Sequence, residues 1–161
     1  MSSISIPELE VPFVFRDRPV AVKGDLRPLW RMSLVVMLIR KCCGSNRTSF
    51  ARLHVLNWAL LSKSNRDSLL RLVKIETDPT EILVRVEPFL NTAVNYAVGE
   101  DLIRQEKGNR LVLTTKGVNV ADTLFENEDV FQLEKDFISK LGTKLTESLV
   151  KELFAQPGGI E

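Results

Sequence analysis

The stretch EPFLNTAVNYAVGEDLIRQEKGNRLVLTTKG, residues 87–117, decides the fold of this chain. Pro88 suits the first turn of a helix, and Phe89, Leu90, Ala93, Val94, Ala97 and Val98 then recur at the spacing of one helical face. Gly99 is expected to stop that helix. Leu102–Glu106 and Arg110–Thr114 flank Lys107-Gly108-Asn109, a short glycine-containing turn that signals a hairpin. Thr114 or Thr115 caps a further helix carrying Val118, Ala121, Leu124 and Phe125. Just upstream, Glu81–Val86 alternates Ile82, Val84 and Val86 with Leu83 and Arg85, the pattern of a short strand. Strand, helix, hairpin and helix, preceded by more helices, is the layout of a winged-helix domain.

Upstream, a helix should begin at Pro28, run to about Cys43 and end at Gly44; it is apolar nearly all round, which marks it as central. A second helix spans about Ser49–Leu61 with Thr48 or Ser49 as its cap, and Ser64-Asn65-Arg66-Asp67 has capping-box spacing for a third. Downstream, helices are expected over about Glu128–Leu141, stopping at Gly142, and over Thr146–Phe154. The predicted class is mostly α with a small β-hairpin wing. Residues 1–27 form an extended arm, 28–126 a winged-helix-like domain, 127–155 a C-terminal helical pair and 156–161 a disordered tail. In the arm, Leu9, Val11, Phe13 and Phe15 alternate among Pro7, Pro12 and Pro19, which suits an edge strand, a strap over the chain's own core or an arm offered to a partner.

Composition excludes several classes. The 44% apolar and 27% charged content is that of an ordinary globular protein with a core. The longest unbroken apolar run, Leu34–Ile39, is far short of the roughly 18–20 residues of a membrane span. The N-terminus lacks the basic-then-apolar pattern of a secretory signal. Cys42 and Cys43 are adjacent and suit a reduced compartment, so the expected location is cytoplasmic. The net charge of +1 hides a polarity: residues 1–75 carry 13 Lys/Arg against 5 Asp/Glu, and residues 76–161 carry 9 against 16. Such a chain either shows opposite charges to different partners or neutralises one half with the other on folding.

No catalytic constellation emerges, and no cofactor, metal, membrane or small-molecule substrate is expected. His54, the one histidine, lies in an apolar helix with no nucleophile at helical spacing, and reads as a hydrogen-bonded core residue. With Cys42 and Cys43 it offers three candidate ligands, where zinc takes about four. Neither glycine-rich phosphate-loop pattern is present. Acid pairs such as Glu100-Asp101 and Glu128-Asp129 sit at helix ends, where they act as caps or dipole partners.

Binding surfaces are easier to nominate. The helix in the DNA-reading position has no Lys or Arg between Val86 and Ile103 and is flanked by Glu87, Glu100 and Asp101, which disfavours a phosphate backbone. Asn91 and Asn95 have the chemistry to read adenine, but without cations beside them they suit solvent or protein contact. Phe13, Phe15, Asn91, Asn95 and Tyr96 are therefore candidate partner contacts, with Trp30 and Trp58 assigned to the core. Non-specific DNA contact falls to Arg47, Arg52, Lys63 and Arg66 in the basic half and to Arg104, Lys107 and Arg110 near the wing.

Three segments resemble a known family: TSFARLHVLNWALL (48–61), AVGEDLIR (97–104) with LTTKG (113–117), and EKDFISKLGTKLT (134–146). Together they are similar, over about residues 27–155, to the small middle component of bacterial ABC-three-component systems, the group that includes the Lamassu anti-phage and anti-plasmid systems. The Leu-His-x-Leu-Asn-Trp-Ala stretch is the most distinctive part, and the Leu-Thr-x-Lys-Gly segment is shared by many winged-helix proteins. The resemblance implies a non-catalytic adaptor that ties an SMC-like ATPase to an effector, often a nuclease, and it carries over no catalytic residue. The competing expectation is a winged-helix transcription regulator, which would need a basic reading helix.

Overall fold

The structure is a computed structural model and describes residues 27–155. In chain order it contains α1 (Pro28–Cys42), β1 (Arg47–Ser49), α2 (Phe50–Leu60), α3 (Lys63–Val73), α4 (Pro88–Gly99), β2 (Ile103–Glu106), β3 (Arg110–Leu113), α5 (Thr115–Glu126), α6 (Gln132–Leu141) and α7 (Glu147–Phe154). The predicted class holds: a helical domain with a small three-stranded antiparallel wing. The arm, with Phe13 and Phe15, and the tail 156–161 lie outside the described residues.

α1 is the axis of the domain. Its run Leu34–Ile39 is wholly buried, and α4, α5, α6 and α2 pack around it, which is why that helix has no polar side there. α2 is buried from Arg52 to Leu60, with α3 and α7 against it. Ser49 caps α2 by accepting the Arg52 N–H at 3.0 Å. The cap of α3 is Ser62, which accepts the Asn65 N–H at 3.1 Å, two residues ahead of the expected Ser64. α6 starts at Gln132, four residues later than expected, and Thr146, expected as the first residue of the last helix, is the cap of α7.

The strand expected over Glu81–Val86 does not form. Ile82 and Val84 are buried at alternate positions, as the pattern requires, but the segment joins no ladder. Both edges of the central strand β3 are already occupied, by β2 on one side and β1 on the other. The third wing strand therefore comes from Arg47-Thr48-Ser49, between α1 and α2, with Thr48 opposite Leu111. Its core face carries Thr48, Leu111, Leu113 and Ile103.

Gly99 is not the residue that turns the chain out of α4. Asp101 adopts the left-handed conformation (φ 57°), and Leu102 donates its N–H to the Ala97 carbonyl at 2.8 Å while Asp101 donates to Val98 at 3.0 Å. These two bonds close a Schellman-type end. The Leu-Thr-Thr-Lys-Gly segment then locks the wing to α5. The Thr114 hydroxyl donates to the Asp101 carbonyl at 2.6 Å and accepts the Gly117 N–H at 3.0 Å. Lys116 Nζ donates to the Glu100 carbonyl at 2.7 Å. A Cβ on Gly117 would sit 2.0 Å from the Leu102 carbonyl oxygen, so only glycine permits this approach.

Candidate macromolecule-binding surfaces

α4 buries Leu90, Ala93, Val94 and Ala97 against the core and turns its other side to solvent. That side is more apolar than expected: Phe89 is 52% exposed and Tyr96 53%, seven residues apart on the helix, with Val98 also exposed. Phe89 and Val98 were assigned to the buried stripe; they lie at its edges, beyond the arc that α1 covers. Asn91 and Asn95 are exposed on the same helix. Tyr96 also stands at the lip of a groove of about 620 Å³, where Leu29, Met32, Leu102, Val120 and Leu124 supply the apolar walls. Leu29, at 72% exposure, extends the patch onto the first turn of α1.

Glu87 does not act as the surface acid expected at the start of α4. Its carboxylate turns inward and pairs with the Arg31 guanidinium, which is only 2% exposed. Asn57 completes the cluster, accepting from Arg31 at 3.0 Å and donating to Glu87 at 3.2 Å. One buried polar group thus ties α1, α2 and the N-terminus of α4 together. Only Glu100 and Asp101 remain exposed acids flanking the helix.

The wing gathers cations that are scattered in the sequence. Pairing places Arg47 and Arg104 on either side of Val112, and Arg110 beside Glu106 and Ser49, so three arginines from three strands share the outer face of the sheet. Glu106 sits among them, 3.1 Å from Arg47 and 3.6 Å from Arg104. Lys107, in the turn, is exposed. Lys63 and Arg66 stand apart on α3; Lys63 is exposed, and Arg66 is half-buried and donates to the Leu60 carbonyl at 3.4 Å. Arg52 cannot meet DNA. It is buried and donates to the Cys42 carbonyl, because its side chain leaves α2 on the side turned to the core.

A second cavity, of about 590 Å³, opens between the start of α2 and α7 and is walled by Phe50, Ala51, Val86, Val150, Phe154 and Ala155. His54 lies at its inner wall, 6% exposed, with the Phe50 ring edge-on at 4.9 Å between centroids. The residue is in the core, as expected, but it is not hydrogen-bonded: Nδ1 is sealed without a partner. Burial holds its pKa below the usual imidazole value, against the opposing pull of Glu87. Cys42 and Cys43 are buried thiols, Cys42 pushed up to about 12 by desolvation and by its neighbour Cys43. No group of three or more His, Cys, Asp or Glu arranged to hold a metal occurs among the described residues. No helix among them is long and apolar enough to cross a membrane.

Comparison of the chain with protein-family models, with curated proteins and with solved structures finds no match in any of the three.

Proposed function

We propose that this chain is a non-catalytic adaptor that joins other macromolecules, with α4 and the adjoining groove as its protein-binding surface. One observation carries the reading. The helix in the position where a winged helix reads DNA bears no cation, and shows solvent two aromatic side chains, Phe89 and Tyr96, beside an apolar groove. Large, stiff aromatics of this kind anchor protein interfaces, whereas a DNA-reading helix needs Arg, Lys, Asn or Gln backed by phosphate contacts. The resemblance to the middle component of ABC-three-component systems supplies the proposed partners, an SMC-like ATPase and an effector subunit. Within that complex the wing arginines Arg47, Arg104 and Arg110 would make weak contact with the backbone of passing DNA.

Co-expression with an SMC-like ATPase and an effector, sought among the genes neighbouring this one, tests the proposal. The pair Phe89→Ala and Tyr96→Ala should cut recovery of at least one partner by tenfold or more, since interface anchors contribute about 2 kcal/mol or more each. Unchanged recovery with an intact fold would remove α4 from the interface. The regulator reading has one observation on its side, the arginine face of the wing. A footprint on a defined DNA sequence at physiological salt, abolished by changing Asn91 and Asn95, would favour it instead.

A further inference from the structure

We infer that the cavity between α2 and α7 is a receptor for a phenol ring, the side chain of a tyrosine presented by a partner protein. The walls are mostly apolar, from Phe50, Val86, Val150 and Phe154; of the polar lining residues, Ser49 and Glu147 bond to each other, Lys151 is exposed, and the His54 imidazole is the buried one with a nitrogen left without a partner. No hydrogen bond to either ring nitrogen of His54 is formed by the described residues. Nδ1 is sealed from solvent, whereas Nε2 is not among the sealed atoms, and the cavity is where His54 meets open space. A cavity of about 590 Å³ with mostly apolar walls and a few polar groups has the proportions of a ligand site.

The tautomer selects the ligand. A buried N–H without a partner is rarer and more costly than a buried lone pair, so the proton belongs on Nε2 and points to the cavity. The occupant must then offer an oxygen acceptor on an apolar body. A phenol does so, and because it also donates it is served by either tautomer; an indole only donates and is not. Burial keeps the imidazole neutral, so the contact is a neutral hydrogen bond. The chain's one tyrosine, Tyr96, is on α4, so within a single molecule it is committed to another surface. The occupant therefore comes from another molecule.

The single histidine makes the test direct, because the 161-residue chain gives the signals of one imidazole by nitrogen-detected NMR. p-Cresol, the tyrosine side-chain analogue, should shift the His54 Nε2 resonance saturably at about millimolar concentration. Toluene, with the same ring and no oxygen, should bind about threefold to tenfold more weakly and leave the nitrogen unmoved. His54→Phe should reduce p-cresol to the toluene level, and Ala51→Trp, an exposed position on the cavity wall, should block both without touching the imidazole. No saturable shift up to the solubility of p-cresol would overturn the site. 3-Methylindole binding as tightly as p-cresol would overturn the phenol assignment. A His54 signal that moves with protein concentration alone would replace the partner with Tyr96 of a second copy, and p-cresol binding only after Ile160→Asp would replace it with the chain's own tail. The partner assignment rests on the adaptor reading. The p-cresol titration reads the cavity alone, and recovery of partners by the Phe89/Tyr96 variant reads the adaptor role, so either can fail without the other.

Discussion

Replacing Glu87 by alanine probes the element that most firmly fixes α4 to the rest of the domain. Glu87 precedes α4 and its carboxylate meets Arg31, a guanidinium 2% exposed in the middle of the core. Removing one partner of a buried ion pair leaves the other charge desolvated and typically costs about 3–5 kcal/mol. Two features reduce that here: Glu87 is 26% exposed, so water can enter behind it, and Asn57 still accepts from Arg31 at 3.0 Å. The expected loss for Glu87→Ala is therefore about 2–3 kcal/mol, or roughly 5–10 °C in Tm for a domain of this size. Glu87→Gln keeps an acceptor and should cost about half as much. The double change Arg31→Met with Glu87→Leu removes both charges and should recover most of the loss, because an apolar pair replaces a buried ion pair at little cost. Urea unfolding followed by circular dichroism measures all three. If Glu87→Ala costs under about 1 kcal/mol, or the double variant is no better than the single, the cluster does not hold α4 in place.

Four further outcomes follow from the same structure. Gly117→Ala forces a Cβ to within 2.0 Å of the Leu102 carbonyl oxygen and should destabilise by about 3 kcal/mol or more in urea, while Gly44→Ala, with open space around it, should change little. Cys42 and Cys43, buried and with raised pKa values, should resist iodoacetamide at pH 8 and react on unfolding; labelling at the rate of a free thiol would contradict their burial. His54 resists protonation when folded but accepts a proton near its ordinary 6.5 when unfolded, so the unfolded chain binds more protons just below that pH. Stability should thus fall as pH drops below about 6.5 until the lower folded value is passed, and His54→Phe should flatten that step in a pH series of urea melts. Finally, alanine at Arg47, Arg104 and Arg110 together should lower the salt slope of any non-specific DNA binding by up to about 3, one per lost phosphate contact, whereas Arg52→Ala should leave the slope unchanged.

The parts of the fold legible in the sequence are those where one period governs a long segment. α1 is apolar all round because it is packed on all sides, and α4 followed by the hairpin is spelled by a helical stripe and a glycine turn. β1 was not legible: three residues, Arg47-Thr48-Ser49, are too few to show alternation, and the better pattern at Ile82–Val86 joins no ladder, both edges of β3 being taken by β1 and β2. Arg52 looked like surface because arginine usually is, but α2 is covered on the side where it points. The candidate surfaces divide the same way. Asn91, Asn95 and Tyr96 were legible as the remainder of a helical stripe. The grouping of Arg47 with Arg104 and Arg110, and of Arg31 with Asn57 and Glu87, joins residues 26 to 63 positions apart and needs the tertiary fold. The distinctive Leu-His-x-Leu-Asn-Trp-Ala stretch now reads residue by residue: Trp58 and the aliphatics fill the core, Asn57 binds the Arg31–Glu87 pair, and His54 walls the cavity.

The charge polarity of the sequence bears on what this molecule can bind. Each first-half cation that forms an ion pair among the described residues does so with a second-half acid: Arg31 with Glu87, Arg40 and Lys41 with Asp122, and Arg47 with Glu106. Folding thus turns much of the polarity into internal attraction, with Asp122 held below the usual carboxylate range by its bonds to Arg40 and Lys41. Glu106, between Arg47 and Arg104, further weakens the field of the wing. On the wing a polyanion would meet Arg47, Arg104, Lys107 and Arg110 with Glu106 among them, while other exposed cations, such as Lys63, Arg71, Lys74 and Arg85, lie outside the wing. Such a surface holds a phosphate backbone weakly and with strong salt dependence, and it reads no sequence. Selectivity must then come from apolar shape, and that lies elsewhere on the molecule, on the Phe89–Tyr96 face of α4 and in the cavity walled by His54. Under the adaptor function proposed above, a domain with weak polyanion contact on one surface and apolar recognition on others would be positioned by its protein partners and touch nucleic acid only once they had brought it there.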